Sequence, residues 1–406
     1  MVLKLGAPHI MRKFNLARRY SALLYLLVIA HFSHHLLTAL LVPLMPFIRD
    51  DFTLDYAHAG LLVTAFTVAY GISQLPAGWL ADRIGQCTLI TIGISGVAVS
   101  GLLIGLAPNY IALAALLVLL GIMGGSYHPA AVPLVSASVP PESRGRALGI
   151  HQIGGSASYF VTPLIAVALV SVVGWRGVFI GLAIPVTVLG IALYVLLARQ
   201  RYQERIEEKV GESEVEKPSV LGNRKRLLAF LTLAIVSEMA IWAIIAFVPL
   251  FLVDRSGVGE ETAGILLALV YSGGLWAAPL GGYLCDRWGR VPMIIVTSVA
   301  AGLVIYLLTL LAYGWAMLAL LVALGMSAFF LIPISEAYLI TRAPAHNRST
   351  ILGIYYVGSI GGPGFIAPII GHFIDRSGFD ISFTMVGAIL IAITLCCLVF
   401  LWGDRS

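Results

Sequence analysis

His31, His34, His35 and Thr38 stand at i, i+3, i+4 and i+7, so one face of a helix carries all four. The stretch around them, 20–48, is otherwise apolar. A polar face on such a helix must turn toward protein or water, and an ionisable group within it marks a pathway by default. The stretch 146–172 repeats the idea with His151, Gln152, Gly155, Tyr159 and Thr162, and Tyr127 and His128 lie in 110–136. Two acids join them. Glu238 lies about 11 residues into 227–253, ~16 Å deep at 1.5 Å per residue, with Trp242 one turn further on. Glu336 lies nearer the end of 314–341, and Tyr355 and Tyr356 follow in 349–373.

This chemistry is proton uptake and release beside a surface for a small solute. Glu238, Glu336, His34 and His128 are the proton-coupling candidates. His31, His34, His35, Tyr127, His128, His151, Gln152, Tyr159, Glu238, Trp242, Tyr355 and Tyr356 are the candidate solute contacts. The histidines suit an anion when protonated, and the aromatic rings suit a ring-bearing or apolar solute. A lone histidine in an apolar helix is more often satisfied by an interhelical hydrogen bond; the grouping on one face favours a cavity wall. His372 is expected to be structural or solvated. No metal site is expected, because carboxylate partners for these histidines are few and distant in sequence. No Cys-x-x-Cys or Cys/His metal spacing appears, and Cys87, Cys285, Cys396 and Cys397 are expected as free thiols.

The elements that must hold these residues follow from composition. Of 406 residues, 59% are hydrophobic and 11% charged, against about 25% charged in a soluble domain. Lipid is therefore the expected solvent for most of the chain. Twelve stretches are long and apolar enough to span: 20–48, 57–80, 88–107, 110–136, 146–172, 176–198, 227–253, 261–284, 292–312, 314–341, 349–373 and 380–402. Such long runs exclude a β-barrel, whose strands alternate over about 10 residues. The basic start followed by 20–48 is too long for a secretory signal. The expected fold is an all-α membrane protein of twelve helices in two six-helix bundles, 1–198 and 227–406, joined by a polar linker, 199–226.

The 25 Lys and Arg residues set the orientation. With the N-terminus in the cytoplasm, only Arg49, Arg176, Arg255 and Arg376 fall on the opposite side. Both termini are thus expected in the cytoplasm, in a multi-pass protein of the inner membrane. The net charge of +5 is then a topology signal and not a nucleic-acid footprint.

The halves align at a constant offset of 204. Ala59-Gly60 matches Ala263-Gly264, Asp82-Arg83 matches Asp286-Arg287, Pro129 matches Pro333, and Leu148-Gly149-Ile150 matches Leu352-Gly353-Ile354. One register held through two loops means two bundles related by an axis along the membrane normal, with solute binding between them. Under this offset His34 matches Glu238, so these two groups are expected to face each other.

Gly78-Trp79-Leu80-Ala81-Asp82-Arg83-Ile84-Gly85 resembles the signature loop between helices two and three of the major facilitator superfamily. Its second copy is Gly282-Tyr283-Leu284-Cys285-Asp286-Arg287-Trp288-Gly289-Arg290, and Pro141-Glu142-Ser143-Arg144-Gly145-Arg146 resembles the loop between helices four and five. The first copy departs at Gln86 and Cys87, where the family carries basic residues. The resemblance implies a conformational latch of Gly78, Asp82, Arg83, Gly85, Arg144, Asp286, Arg287 and Arg348. In it Asp82 holds the N-terminus of helix eleven and Arg83 ties to carboxylates or carbonyls. Ser126-Tyr127-His128-Pro129 and His151-Gln152-Ile153-Gly154-Gly155 resemble the fosmidomycin-resistance, drug-efflux branch. The Arg common in helix four of drug:proton antiporters is absent, and no sugar-porter motif is present.

Other classes are poorly served. Gly121-Ile122-Met123-Gly124-Gly125 lacks the Gly-Lys-Ser/Thr ending of a nucleotide loop, and no hydrolase elbow with a triad stands out. The expectation is a transporter and not an enzyme, working as a monomer without a cofactor. It exchanges protons for a drug-like or amphiphilic compound. Proton symport of an organic anion is the alternative, and an integral membrane enzyme the remote one.

Overall fold

The computed structural model describes residues 7–139, 144–207, 224–342 and 348–401, with side chains from Ala22 onward. Backbone groups in an apolar chain have no water to bond, so they pair within helices. The elements are α1 (Ala7–Thr38), α2 (Met45–Phe52), α3 (Tyr56–Ile84), α4 (Gln86–Gly105), α5 (Tyr110–Gly125), α6 (Tyr127–Ala137), α7 (Arg144–Glu207), α8 (Arg224–Leu250), α9 (Glu260–Trp288), α10 (Arg290–Leu310), α11 (Trp315–Arg342), α12 (Arg348–Tyr356) and α13 (Gly362–Leu401). Single π-helical turns, Phe251–Arg255 and Val357–Gly361, follow α8 and α12. No strand occurs among the described residues.

Several expected spans divide differently. The stretch 20–48 is not one helix: α1 stops at Thr38, and α2 starts with Pro46 in its first turn, where the missing N–H of proline is harmless. The stretch 110–136 is split at Ser126 between α5 and α6. The stretch 349–373 is interrupted by the second π turn. Among the described residues, eight stretches have the length and hydropathy of a crossing. Two of them, Ala147–Leu196 and Gly353–Leu401, run to 50 and 49 residues, about twice what one crossing needs. Each carries a glycine with non-helical backbone, Gly174 and Gly378. Residues 208–223 of the expected linker lie outside the described residues.

The 204-residue repeat is built into the backbone. α3 and α9 have equivalent ends. Gly85 and Gly289 both have φ 87° at the turns that follow them, a left-handed region that favours glycine. Gly174 and Gly378 (φ 67° and 78°) and Thr53 and Gly257 (φ 51° and 68°) are equivalent pairs as well. Even an ion pair is repeated with its charges exchanged: Arg176 meets Asp51 at 2.6 Å, and Arg255 meets Asp380 at 2.8 Å.

Within the first half α1 and α4 pack on α7, and α3 on α5. In the second, α9 packs on α11, and α8 and α10 on α13. Two seams join the halves, α3 against α13 and α7 against α9. The first is so close that a Cβ on Gly71 would stand 2.8 Å from Gly361 Cα, which admits no larger residue without displacement.

At one end the seams are sealed by polar contacts. Arg49 bonds Asp254, and the Tyr56 hydroxyl donates to Asp254 at 2.8 Å. The backbone N–H groups of Tyr56 and Ala57, at the start of α3, donate to Asp375 at 2.9 and 3.0 Å. Glu260, at the start of α9, is hydrogen-bonded to Asp50. The offset turns Tyr56 into Glu260 and Asp254 into Asp50, so the same crossing contact is made twice.

Candidate functional site

The polar face of α1 turns inward. His31, His34 and His35 are buried, and Tyr127 and His128 of α6 close over them with His151 of α7. His31 stacks on His151 with ring centroids 4.3 Å apart and on Tyr127 at 5.3 Å. His34 stacks on Tyr127 at 4.8 Å, and His128 meets His31 edge-on at 5.1 Å. The fit depends on Gly155: a Cβ there would stand 2.6 Å from His31 Cε1 and 2.7 Å from Nε2.

Hydrogen bonds fix these rings. His31 Nδ1 lies 2.9 Å from the carbonyl of His151, which can only accept. The Tyr127 hydroxyl donates to the Leu27 carbonyl at 3.0 Å, so it accepts from His151 Nε2, also at 3.0 Å. His34 Nε2 pairs with the Tyr70 hydroxyl at 3.0 Å, and His35 Nδ1 with Thr38 Oγ1 at 3.2 Å.

The second half holds the acids. Glu238 is 3% exposed. Tyr355 donates its hydroxyl to Glu238, and Ser359 bonds it as well. Tyr356 donates to Glu336 at 2.9 Å. Ser237, one residue before Glu238, pairs with Ser298 of α10 at 2.8 Å and anchors the other side of α8. Between the two clusters runs an aromatic bridge. Tyr159 lies 4.6 Å from His35, 5.2 Å from Tyr271 and 6.1 Å from Trp242, and Trp242 lies 5.6 Å from Phe329.

The fold thus gathers His31, His34, His35, Tyr127, His128 and His151 in one half and Glu238, Glu336, Tyr355 and Tyr356 in the other, with Tyr159 and Trp242 between. Gln152 stands apart: it is exposed beside Ile153, because the turn that buries His151 directs its neighbour away. His372 is exposed. His34 and Glu238 do not bond each other; each is bonded within its own half. Arg83 lies over the Trp79 ring, 3.9 Å from its centroid, a cation–π contact one helical turn away. Gly78 and Gly85 sit at the end of α3, and Arg287 is exposed near the end of α9. The side chains of Asp82, Arg144, Asp286 and Arg348 lie outside the described residues.

Several participants have no sequence signal of their own. Tyr70, Tyr271, Phe329 and Ser359 are uncharged residues in apolar helices. Asp50 and Glu260 were within reach, since the repeat places them opposite Tyr56 and Asp254. Burial, and then the hydrogen bond to Asp50, raises the Glu260 carboxyl to about 7.

Comparison with known proteins places this arrangement. The family model described as Major Facilitator Superfamily matches residues 27–269 and again 230–406. The chain is 25% identical over 373 residues to a probable sulfoacetate transporter, SauU, of Cupriavidus necator, covering 85% of each chain. It is 25% identical over 361 residues to the multidrug resistance protein MdtG of Enterobacter lignolyticus, covering 86% of this chain and 85% of that one. Among solved structures, a POT family transporter in complex with 5-aminolevulinic acid superposes with a TM-score of 0.78 at 16% identity, over 93% of this chain and 95% of that one. A match over both halves, on a fold of two repeats with a polar site between them, leads to one conclusion: the chain belongs to the Major Facilitator Superfamily and is a secondary transporter of small organic solutes, not an enzyme.

Proposed function

We propose that this transporter couples proton movement through Glu238 to efflux of a ring-bearing, amphiphilic compound. The observation that carries the proposal is the setting of Glu238: buried, held by the hydroxyls of Tyr355 and Ser359, in a chain with no Lys or Arg deep inside a span. A carboxyl without a fixed counter-ion is cheaper to bury with its proton than without it. It takes up a proton where the site closes and releases it where water enters. The bridge of Tyr159, Trp242, Tyr271 and Phe329 offers a solute flat apolar surface. The absence of a fixed cation in the spans argues for an amphiphile over an obligate anion, and the likeness to MdtG agrees. Symport of an organic anion is the second reading, supported by the five clustered histidines and the likeness to SauU.

The two halves, 1–198 and 227–406, rock about the seams while 199–226 links them. The face sealed by Arg49, Asp254 and Asp375 is the outer one, because it carries the few basic residues. The site then communicates with the cytoplasm. The Asp82 and Asp286 loops form the opposing latch, closing when the outer seal opens. Lipid and protons are the remaining partners, and one chain forms the complete pathway in the inner membrane.

Proteoliposomes loaded with a pH dye, given an imposed proton gradient and then ethidium, tetraphenylphosphonium or sulfoacetate, test this. Efflux predicts proton flow opposite to ethidium or tetraphenylphosphonium. Proton flow together with sulfoacetate supports symport, and no solute-dependent proton flow with any of the three removes the coupling.

A further inference from the structure

The absence of carboxylates near the helix-one histidines argued against a metal in the sequence. The fold changes the ligand set by supplying a third imidazole from a distant helix. One ring nitrogen from each of His31, His35 and His128 lies within 4.8 Å of the other two. His31 and His35 are one turn apart on α1, and His128 reaches them from the first turn of α6.

The hydrogen bonds decide where the lone pairs point. His31 Nδ1 faces the His151 carbonyl at 2.9 Å. A carbonyl only accepts, so Nδ1 carries the hydrogen and Nε2 presents a lone pair. That Nε2 is buried and has no hydrogen-bond partner. Thr38 spends its only hydrogen on the His34 carbonyl at 3.1 Å. Its oxygen therefore accepts from His35 Nδ1 at 3.2 Å, which leaves the lone pair of His35 on Nε2. Two imidazoles one turn apart thus have Nδ1 held as a donor and the lone pair left on Nε2. Histidines that ligate metals are arranged this way, the far N–H given to a carbonyl or other acceptor to fix tautomer and ring orientation. His31 is fully buried, so bulk water does not reach Nε2 to satisfy it.

We propose that His31, His35 and His128 bind a borderline first-row transition-metal dication of the Zn²⁺ type, with a fourth position left open. Neutral imidazoles suit such ions, whereas hard cations want carboxylate and carbonyl oxygens, and the trio contains none. Zn–N distances of about 2.0–2.1 Å in a tetrahedral site put ligand nitrogens roughly 3.3–3.4 Å apart, so modest ring rotations draw the three onto the ion. With no carboxylate among the ligands, the bound ion keeps its charge and favours an anion in the fourth position. His35 also packs on Tyr159, which places the ion beside the aromatic bridge. The proposal is independent of the role assigned to Glu238.

The test uses the full chain, free of any affinity tag, stripped with chelator and placed in lipid nanodiscs. Zn²⁺ is titrated calorimetrically, and Co²⁺ is added in parallel as a spectroscopic probe. The expected result is one ion per chain with the intense visible bands of four-coordinate Co²⁺. His35→Gln and His128→Gln should each weaken binding at least about tenfold, on the scale of losses seen even for outer-shell partners. His58→Gln, at an exposed histidine remote from the trio, should bind like the parent. Circular dichroism and thermal unfolding of each variant distinguish a lost ligand from a lost fold. Where a Gln variant fails to fold, protection of His31, His35 and His128 from diethylpyrocarbonate by Zn²⁺ in the parent decides instead. A parent without stoichiometric binding, a six-coordinate Co²⁺ spectrum, undiminished binding in the folded variants, or no protection would overturn the proposal.

Discussion

The acid pair Asp50–Glu260 makes closure of the sealed face depend on pH, and the sign follows from the structure. Closure buries Glu260 against Asp50 and raises its carboxyl from 4.5 to about 7. When the halves part, Glu260 returns to its ordinary range. Between about pH 4.5 and about 7 the closed state therefore binds more protons, and proton binding favours it. The added stability of closure is fully present below about pH 4.5 and is lost as pH rises through about 7. A wholly dry carboxyl shifted this far would change the balance by roughly 3 kcal/mol. Glu260 keeps contact with water, so about 1–2 kcal/mol is expected, or roughly a 5- to 30-fold change in the closed-to-open ratio. Spin labels at Pro108 and Ala312, exposed equivalent positions in the loops after α4 and α10, report the distance between halves. The short-distance population should fall from pH 5 to pH 8. Glu260→Gln keeps a donor for Asp50 and removes the titration, so its populations should stay near the acid value throughout. A parent distribution that does not change over this range, or a Gln variant that changes as much as the parent, would refute the reasoning.

Three further outcomes follow. Gly71→Leu should stop transport while the protein still reaches the membrane, because the new side chain meets the Gly361 backbone; transport in vesicles against immunoblotted protein checks this. Reversing one member of the Asp51–Arg176 pair should cost at most about 1 kcal/mol, and exchanging both residues should restore the parent melting temperature, as the Arg255–Asp380 pair already has that polarity. Asp82→Asn should move labels across the cytoplasmic side apart with little loss of thermal stability; unchanged distances would count against the latch.

Much of the fold was legible because a lipid-embedded chain states its periodicities openly. The 204 offset in the sequence reappears as paired positive-φ positions at Gly85 and Gly289 and at Gly174 and Gly378. The helix-one face was legible from the spacing of His31, His34, His35 and Thr38. Breaks inside apolar stretches were harder to place. The Thr38–Met45 turn and the π turn at Val357–Gly361 depend on packing between helices, which hydropathy does not record. Pseudo-equivalence also proved a poor guide to contact. His34 and Glu238 match under the offset, yet an axis that relates two residues can keep them apart, and each bonds a tyrosine of its own half, Tyr70 and Tyr355. The His128 approach to His31 and His35 joins residues about a hundred positions apart, and only the fold shows it.

Coupling through Glu238 is most directly tested by comparing two modes of transport in the same vesicles. Glu238→Gln keeps the shape and the bond from Tyr355 while removing the exchangeable proton. With ethidium as solute, the variant should still exchange labelled for unlabelled compound at equal concentrations, yet fail to drive it against its gradient when a pH difference is imposed. Gradient-driven movement in the Gln variant at the parent rate would contradict the account.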